Sequence, residues 1–348
     1  MKAKKWTILL LAAIITVTGA FAGLMYILDP LVQFGTESFP LTSYEYSEMY
    51  SNPGIAKNYE YDAVMVGTSM IENTDVDICN KLFGCNMVRL PYSGGTTYNM
   101  KTILDVCFRH NSDIKTVYWE LDEFQLTNSA TEPRYPLPDY LYTDKAADKI
   151  SYLLNLDIFY HYGVKDIIGT LKGEYQQAAR KGSQLGGNFG KEAMLTTYSR
   201  PAISENITDF ETSGMKAKTQ ANLNNIIPLI EANPETEFVF FFAPFSVLYW
   251  DNEIRQGRFD ALMDGVIYSI DALLDHENVS VYYYQGEQNI ITNLDNYKDY
   301  SHYCPDINNL LTEYISEGRN KVSKDNCSDM VNSFRSFIKN YDFDVIFE

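Results

Sequence analysis

The sequence predicts an α/β protein with a central, mostly parallel sheet, and three observations carry that reading. Five short apolar runs recur along the chain, each closed by glycine, proline or a polar turn. Continuous runs of this length suit strands buried on both faces. Segments with apolar residues at helical spacing lie between them. Strand, glycine-rich turn, helix, strand is the order of a βαβ unit, which sets its strands in parallel.

Taken in chain order, Tyr61–Val66 is the first predicted strand and Gly67-Thr68-Ser69 the turn at its end. Ser69–Asn73 leads toward a helix, with Asn73 or Thr74 as its cap. Asn86–Leu90 is the second strand, and Pro91-Tyr92-Ser93-Gly94-Gly95-Thr96 forms a glycine-rich turn. Tyr98–His110 has helical spacing through Met100, Ile103, Leu104 and Cys107, and Ile114–Leu121 is the third strand. Residues 126–209 read as a long insertion. It opens on a loop with Pro133, Pro136 and Pro138 and continues as a helical stretch over Asp144–Lys172, with Ile150, Leu153, Leu154, Ile158 and Tyr162 as expected core positions. Such an insertion forms either a lid or binding wall or a structural helical cap. Lys216–Asn233 is an amphipathic helix that Pro228 kinks or ends early. Glu237–Ala243 is the most hydrophobic strand, Arg255–Leu274 a helix and Val279–Tyr284 the fifth strand. Pro305–Ile315 begins on proline, as helices prefer, and Val322–Asn340 is the last helix.

The N-terminus carries Lys2, Lys4 and Lys5, and Trp6–Leu28 then holds no charged residue. About 20 apolar residues span a bilayer, and the lysines orient such a span with its N-terminus in the cytoplasm. The expected organisation is a single-pass anchor over residues 1–30, a juxtamembrane stalk over 31–58 and one α/β domain over 59–348. Ala20-Phe21-Ala22 also fits a signal-peptidase site, so a cleaved leader is the alternative. Both readings put the domain outside the cytoplasm, and the anchor reading holds it at the cell membrane.

A formal charge of −18 excludes nucleic acid as a partner, because phosphate neutralisation needs a basic face. The 27 tyrosines either line a carbohydrate groove or fill strands and core. The five cysteines include Cys79 and Cys85, close enough in sequence to pair. No C-x-x-C occurs, which argues against a structural zinc. Cys304 is either a thiol nucleophile beside His302 or a buried thiol.

The chemistry concentrates in Tyr297–Ile307, reading YKDYSHYCPDI. Asp299 and His302 stand three apart there, close enough on one turn for the carboxylate to reach an imidazole nitrogen. Serine is a weak nucleophile until a base takes its proton. Histidine supplies that base, and a carboxylate fixes its tautomer. Ser69 ends a predicted buried strand, so Ser69, His302 and Asp299 are the candidate catalytic set. The backbone N–H of Ser69 and that of Gly94 or Gly95 are the candidate oxyanion hole, since a missing side chain lets an amide approach closely. His110 ends a helix, His276 lies in the charged turn DHEN and His161 in the aromatic run FYHY. Asp299, His302 and Asp306 lack a second histidine cluster, so no metal and no cofactor are expected.

Serine after the first strand, glycines after the second and Asp-x-x-His after the fifth resemble the SGNH (GDSL-like) hydrolase superfamily over about Tyr61–Leu311, apart from the insertion. Gly67-Thr68-Ser69 matches the nucleophile block with Thr for its usual Asp, Gly94 or Gly95 the second-block glycine, and Asp299 and His302 the last block. The third block, G-x-N-D, is absent, since the chain reads Glu120-Leu121-Asp122-Glu123-Phe124 there. The outward-facing, membrane-anchored form is similar to the branch of teichoic acid D-alanyl-transfer and alginate O-acetylation proteins, whose members often lack that block. The resemblance implies a flavodoxin-like three-layer α/β/α sandwich. It also implies a serine esterase or O-acyltransferase acting on an extracellular polysaccharide or cell-wall polymer. Transfer rather than hydrolysis would imply a membrane-embedded acyl-donor protein as partner. The competing expectation is a non-catalytic subunit that binds or assembles an exopolysaccharide.

Overall fold

The computed structural model describes residues 2–36, 47–172, 186–204 and 209–348. Residues 37–46 of the expected stalk, and 173–185 and 205–208 of the expected insertion, lie outside the described residues. The chain divides into two compact units, one of Met1–Glu60, Asp105–Ser112 and Leu137–Gly182, the other of Tyr61–Leu104, Asp113–Pro136 and Ser183–Glu348.

The second unit is α/β. Its sheet has strands β1 (Ala63–Gly67), β2 (Met87–Pro91), β3 (Thr116–Glu120), β4 (Glu237–Phe242), β5 (Val279–Tyr283) and β6 (Lys321–Val322). They lie in the order β2-β1-β3-β4-β5-β6, all parallel except β6, which pairs antiparallel with β5. Every residue of β1 and β2 is buried, as the apolar run of β1 requires, and β2 buries Arg89 among its apolar residues. Val66 pairs with Leu90 on one side and Trp119 on the other, so β1 is central. The chain leaves β1 toward β2 and later returns to its other side as β3. Such a reversal leaves a crevice beyond the carboxyl ends of the two strands, where α/β proteins bind ligands. Helices Asp209–Ala232, Phe259–Leu273 and Cys327–Asn340 pack in series, and Val76–Phe83 packs with Pro305–Ser316.

Several boundaries differ from the sequence reading. Ser69–Ile71 is a single 3-10 turn, and the following helix is capped by Asp75, whose carboxylate accepts from the Asp77 and Ile78 amides, rather than by Asn73 or Thr74. Pro228 sits inside a continuous helix. Leu223, Ile226 and Ile230 of that helix are fully buried, and such burial outweighs the few kcal/mol a mid-helix proline costs. The helix expected over Arg255–Leu274 starts later, as Phe259–Leu273, and a separate helix, Val247–Arg255, precedes it. All five cysteines are free thiols.

Among its described residues the first unit holds one helix long and apolar enough to cross a membrane, Ala3–Leu28, with Trp6 72% exposed. Just beyond it the Asp29 carboxylate accepts from the Gln33 and Phe34 amides at 2.8 Å each and from the Tyr152 hydroxyl at 3.0 Å. Part of the expected stalk is a helix, Glu48–Asn58, and it packs tightly: a Cβ on Gly54 would lie 1.8 Å from the Leu31 carbonyl oxygen. Lys57 on this helix donates to the carbonyls of Leu141 and Thr143. Ile150 and Leu154, expected in the core, are exposed. The short helix Ala146–Leu153 instead buries Tyr152, the residue tied to Asp29.

Candidate active site

Ser69 follows β1 by two residues and is half-buried. Its Oγ lies 2.7 Å from His302 Nε2, across 233 residues of chain. His302 Nδ1 lies 2.9 and 2.8 Å from the two Asp299 carboxylate oxygens. Nδ1 therefore carries the proton and donates it to Asp299, which leaves Nε2 as acceptor for the Ser69 hydroxyl. The side chains of His302 and Asp299 are about one-quarter exposed, so a substrate can reach them.

Local bonding sets this geometry. Asp299 Oδ1 also accepts from the backbone N–H of Ser301 (3.0 Å) and His302 (2.8 Å), an Asx-type turn that bends the segment back on its own carboxylate. The loop is pinched at its base, where Tyr297 bridges Tyr303 and the Lys298 N–H donates to the His302 carbonyl. Tyr297 is buried and donates to the Pro244 carbonyl after β4, which fixes the loop to the sheet. Burial by itself raises the Asp299 carboxyl. The His302 hydrogen bond and charge, with the two backbone N–H groups, outweigh it and hold the group at about 2.

The Ser69 segment is braced from three sides. Asn308, on the helix that follows His302, donates to the Met70 carbonyl at 2.8 Å and to Thr74 Oγ1 at 3.0 Å. Arg89 of β2, itself buried, donates to the carbonyls of Ile71 and Thr74. Glu120, at the end of β3, accepts from the Thr68 N–H at 2.9 Å and the Thr68 hydroxyl at 3.0 Å. None of these three was legible as a site residue, because their partners are backbone groups, or a threonine, far away in sequence. The one sequence signal was a charged residue inside an apolar strand, Arg89 in NMVRL and Glu120 in IKTVYWEL.

The glycine turn is a four-residue turn, Tyr92–Gly95, closed by the Gly95 N–H on the Tyr92 carbonyl at 2.7 Å. Gly94 stands at its third position with φ +60°, a place that favours glycine. The Gly95 N–H is thus engaged in the turn, while those of Ser69 and Gly94 stay the candidate oxyanion donors. Ser93 Oγ donates to Glu72, tying this turn to the nucleophile segment. Arg134, exposed and stacked over Phe124 at 5.5 Å, lies so near Gly94 that a Cβ there would meet its Nη1 at 2.6 Å. A positive charge therefore stands at the rim of the turn. Tyr300, next to Asp299 and 40% exposed, stacks on Tyr249 and leans on Tyr198, each with centroids 6.0 Å apart. Tyr92, Tyr118, Tyr283, Tyr284, Tyr297 and Tyr303 are core residues instead. Cys304 precedes the helix Pro305–Ser316, while the imidazole is taken by Ser69 and Asp299. Among the described residues no His/Cys/Asp/Glu group could hold a metal ion.

Behind the site lies a cluster of buried acids. Burial pushes Glu123 up to about 8, against the pull of the Gln285 amide that donates to it at 2.6 Å, and the charge of Asp122 adds to the rise. Burial likewise raises Asp122. Folded Glu123 keeps a proton that the unfolded chain loses near 4.5, so its contribution is fully present below that pH and is lost as pH rises toward 8. Glu123→Gln is expected to flatten the curve. Between pH 5 and pH 8 the parent should lose about 3 kcal/mol more stability than the variant. Urea unfolding at the two pH values reads the difference, and parallel losses in both proteins would refute the buried neutral acid.

No family model, no curated protein and no solved structure matches this chain.

Proposed function

We propose that the chain is a serine esterase or O-acyltransferase of the SGNH type. In this reading the N-terminal helix holds it in the cell membrane, and its α/β unit works outside the cytoplasm on a polysaccharide or other polymer of the cell envelope. The observation that carries the reading is the continuous line from Ser69 Oγ through both imidazole nitrogens to Asp299. The serine follows the first strand of the parallel sheet, at the crevice between β1 and β3. The strand order β2-β1-β3-β4-β5 and two groups of helices that pack among themselves support a flavodoxin-like three-layer sandwich. The half-exposed tyrosine wall beside Asp299 supports a carbohydrate as the group presented, because a Tyr ring offers an apolar face and a polar edge.

The chemistry then runs in two halves. Ser69 Oγ attacks the acyl carbonyl carbon as His302 Nε2 takes its proton, and Asp299 stabilises the imidazolium. The negative oxygen of the tetrahedral intermediate is received by the N–H groups of Ser69 and Gly94, with the Arg134 charge nearby. The intermediate collapses, the C–O bond to the first alcohol breaks and His302 returns the proton to that alcohol. Water or a glycan hydroxyl next gives its proton to His302 and attacks the acyl-enzyme, releasing an acid or a new ester and restoring Ser69. A glycan acceptor calls for an acyl donor delivered from the membrane side, which fits an anchored enzyme with a membrane-embedded partner.

A fluorophosphonate probe tests the reading, since only an activated serine reacts with it. The intact protein should label stoichiometrically at Ser69 and Ser69→Ala should not label. An unlabelled, folded protein would leave the non-catalytic, exopolysaccharide-binding subunit as the better account.

A further inference from the structure

Resting on the acyl-chemistry reading, we propose that Glu120 is the positioning residue of the nucleophile turn: it grips Thr68 from inside the sheet and thereby sets where Ser69 stands against His302. Glu120 is fully buried at the last position of β3, level with the end of β1. Its Oε2 takes both donors of Thr68, the residue immediately before the nucleophile. The carboxyl can come so close only because position 67 is glycine, where a Cβ would lie 2.7 Å from Glu120 Cβ and 2.9 Å from Oε2. Glu120 is held in its turn. The Gln125 amide donates to the Glu120 carbonyl at 2.7 Å, and Gln125 Oε1 receives the Trp119 indole N–H at 3.0 Å.

The Tyr303 hydroxyl, on the residue after His302, is buried within the electrostatic reach of Glu120. Tyr303 Oη and Glu120 Oε1 are both buried without a hydrogen-bond partner among the described residues. Burial, with Asp122 and Glu123 close by, keeps Glu120 protonated well above the ordinary carboxyl range. Since Oε2 accepts from both Thr68 donors and, at 3.4 Å, from Gln125 Nε2, the proton belongs on Oε1. A neutral acid suits the place, because a buried carboxylate behind Ser69 would oppose the negative charge that develops over its N–H. Glu120 thus occupies the stretch where the resembled family has its third block, but it acts on the turn rather than on the substrate.

Glutamine reproduces this group: its oxygen accepts from the same donors and its amide stands where the protonated oxygen stood. Aspartate keeps the acid but is one methylene too short. Labelling rates with a fluorophosphonate should therefore stay within about threefold of the parent in Glu120→Gln and fall about 100-fold in Glu120→Asp and Glu120→Ala, the cost of a small misplacement of the nucleophile. Circular dichroism of each variant checks that it is folded. Hydrogen exchange over residues 67–72 reads the turn without any chemistry. It should quicken by about tenfold or more in the Asp and Ala variants and stay slow in the Gln variant. Folded Asp and Ala variants that label and exchange at the parent rate would overturn the proposal, as would a Gln variant as slow to label as Ala. A parent protein that does not label overturns the acyl-chemistry reading instead, and the exchange pattern then decides the place of Glu120 alone.

Discussion

Ser69→Ala is expected to lower turnover of an aryl acetate by about 10⁵–10⁶-fold, the loss seen when the nucleophile of a serine–histidine–carboxylate set is removed. The argument is structural as well as chemical. Ser69 is half-buried and its hydroxyl has one side-chain partner, His302 Nε2. Its removal leaves an imidazole that is about one-quarter exposed, so water can replace the lost bond. The Thr68, Met70 and Thr74 contacts that shape the turn do not involve the serine side chain. The melting temperature should accordingly change by no more than a degree or two, roughly what a surface substitution does. Turnover against time, paired with a thermal melt, checks both halves. Retained turnover in a folded variant would show that Ser69 is not the nucleophile.

Asp299→Asn is expected to cost about 10⁴-fold in kcat with the fold kept. Oδ1 receives the Ser301 and His302 amides, so an asparagine oxygen will take that place. The asparagine N–H₂ then falls where Oδ2 was, 2.8 Å from His302 Nδ1. A donor facing Nδ1 forces the imidazole proton onto Nε2, and His302 can no longer accept from Ser69. The sign of the acid response follows as well. Asp299 is held at about 2 in the folded chain, so its stabilising contribution is present above its usual 3.8 and is lost as pH falls toward 2. The Asn variant should lack that acid-side loss. Pre-steady-state acylation, compared with melts at pH 3 and pH 6, separates the two effects. Acylation at the parent rate in Asp299→Asn would remove the carboxylate from the mechanism.

The elements that sequence made legible are those whose signal is local. Five strands stood out because a strand buried on both faces is mostly apolar, as β1 is throughout and β2 is apart from Arg89. β6 was missed: two residues, Lys321 and Val322, carry no periodicity, and their strand exists only because β5 offers an edge. Ile150 and Leu154 were misjudged because helical spacing marks a stripe without saying whether anything covers it. Ser69, His302 and Asp299 were legible as a candidate set because the combination of a hydroxyl, an imidazole and a nearby carboxylate is chemically distinctive, and the fold brings them within hydrogen-bond reach. Glu120, Arg89 and Asn308 were not, since each acts on groups brought to it by the sheet order or by helix packing.

The bond between Asn308 and the Met70 carbonyl has a further consequence in time. The hydroxyl and the imidazole of this site are 233 residues apart, and the brace that aligns them comes from the segment after the imidazole. At about 5–20 residues per second of synthesis, a growing chain carries its serine for roughly 10–50 seconds before the ribosome has made the histidine. Throughout that interval the serine is an ordinary alcohol, unable to attack any ester it meets. On the proposed chemistry, reactivity thus arrives late in the making of the chain, and a product truncated before the final fifty residues would be silent.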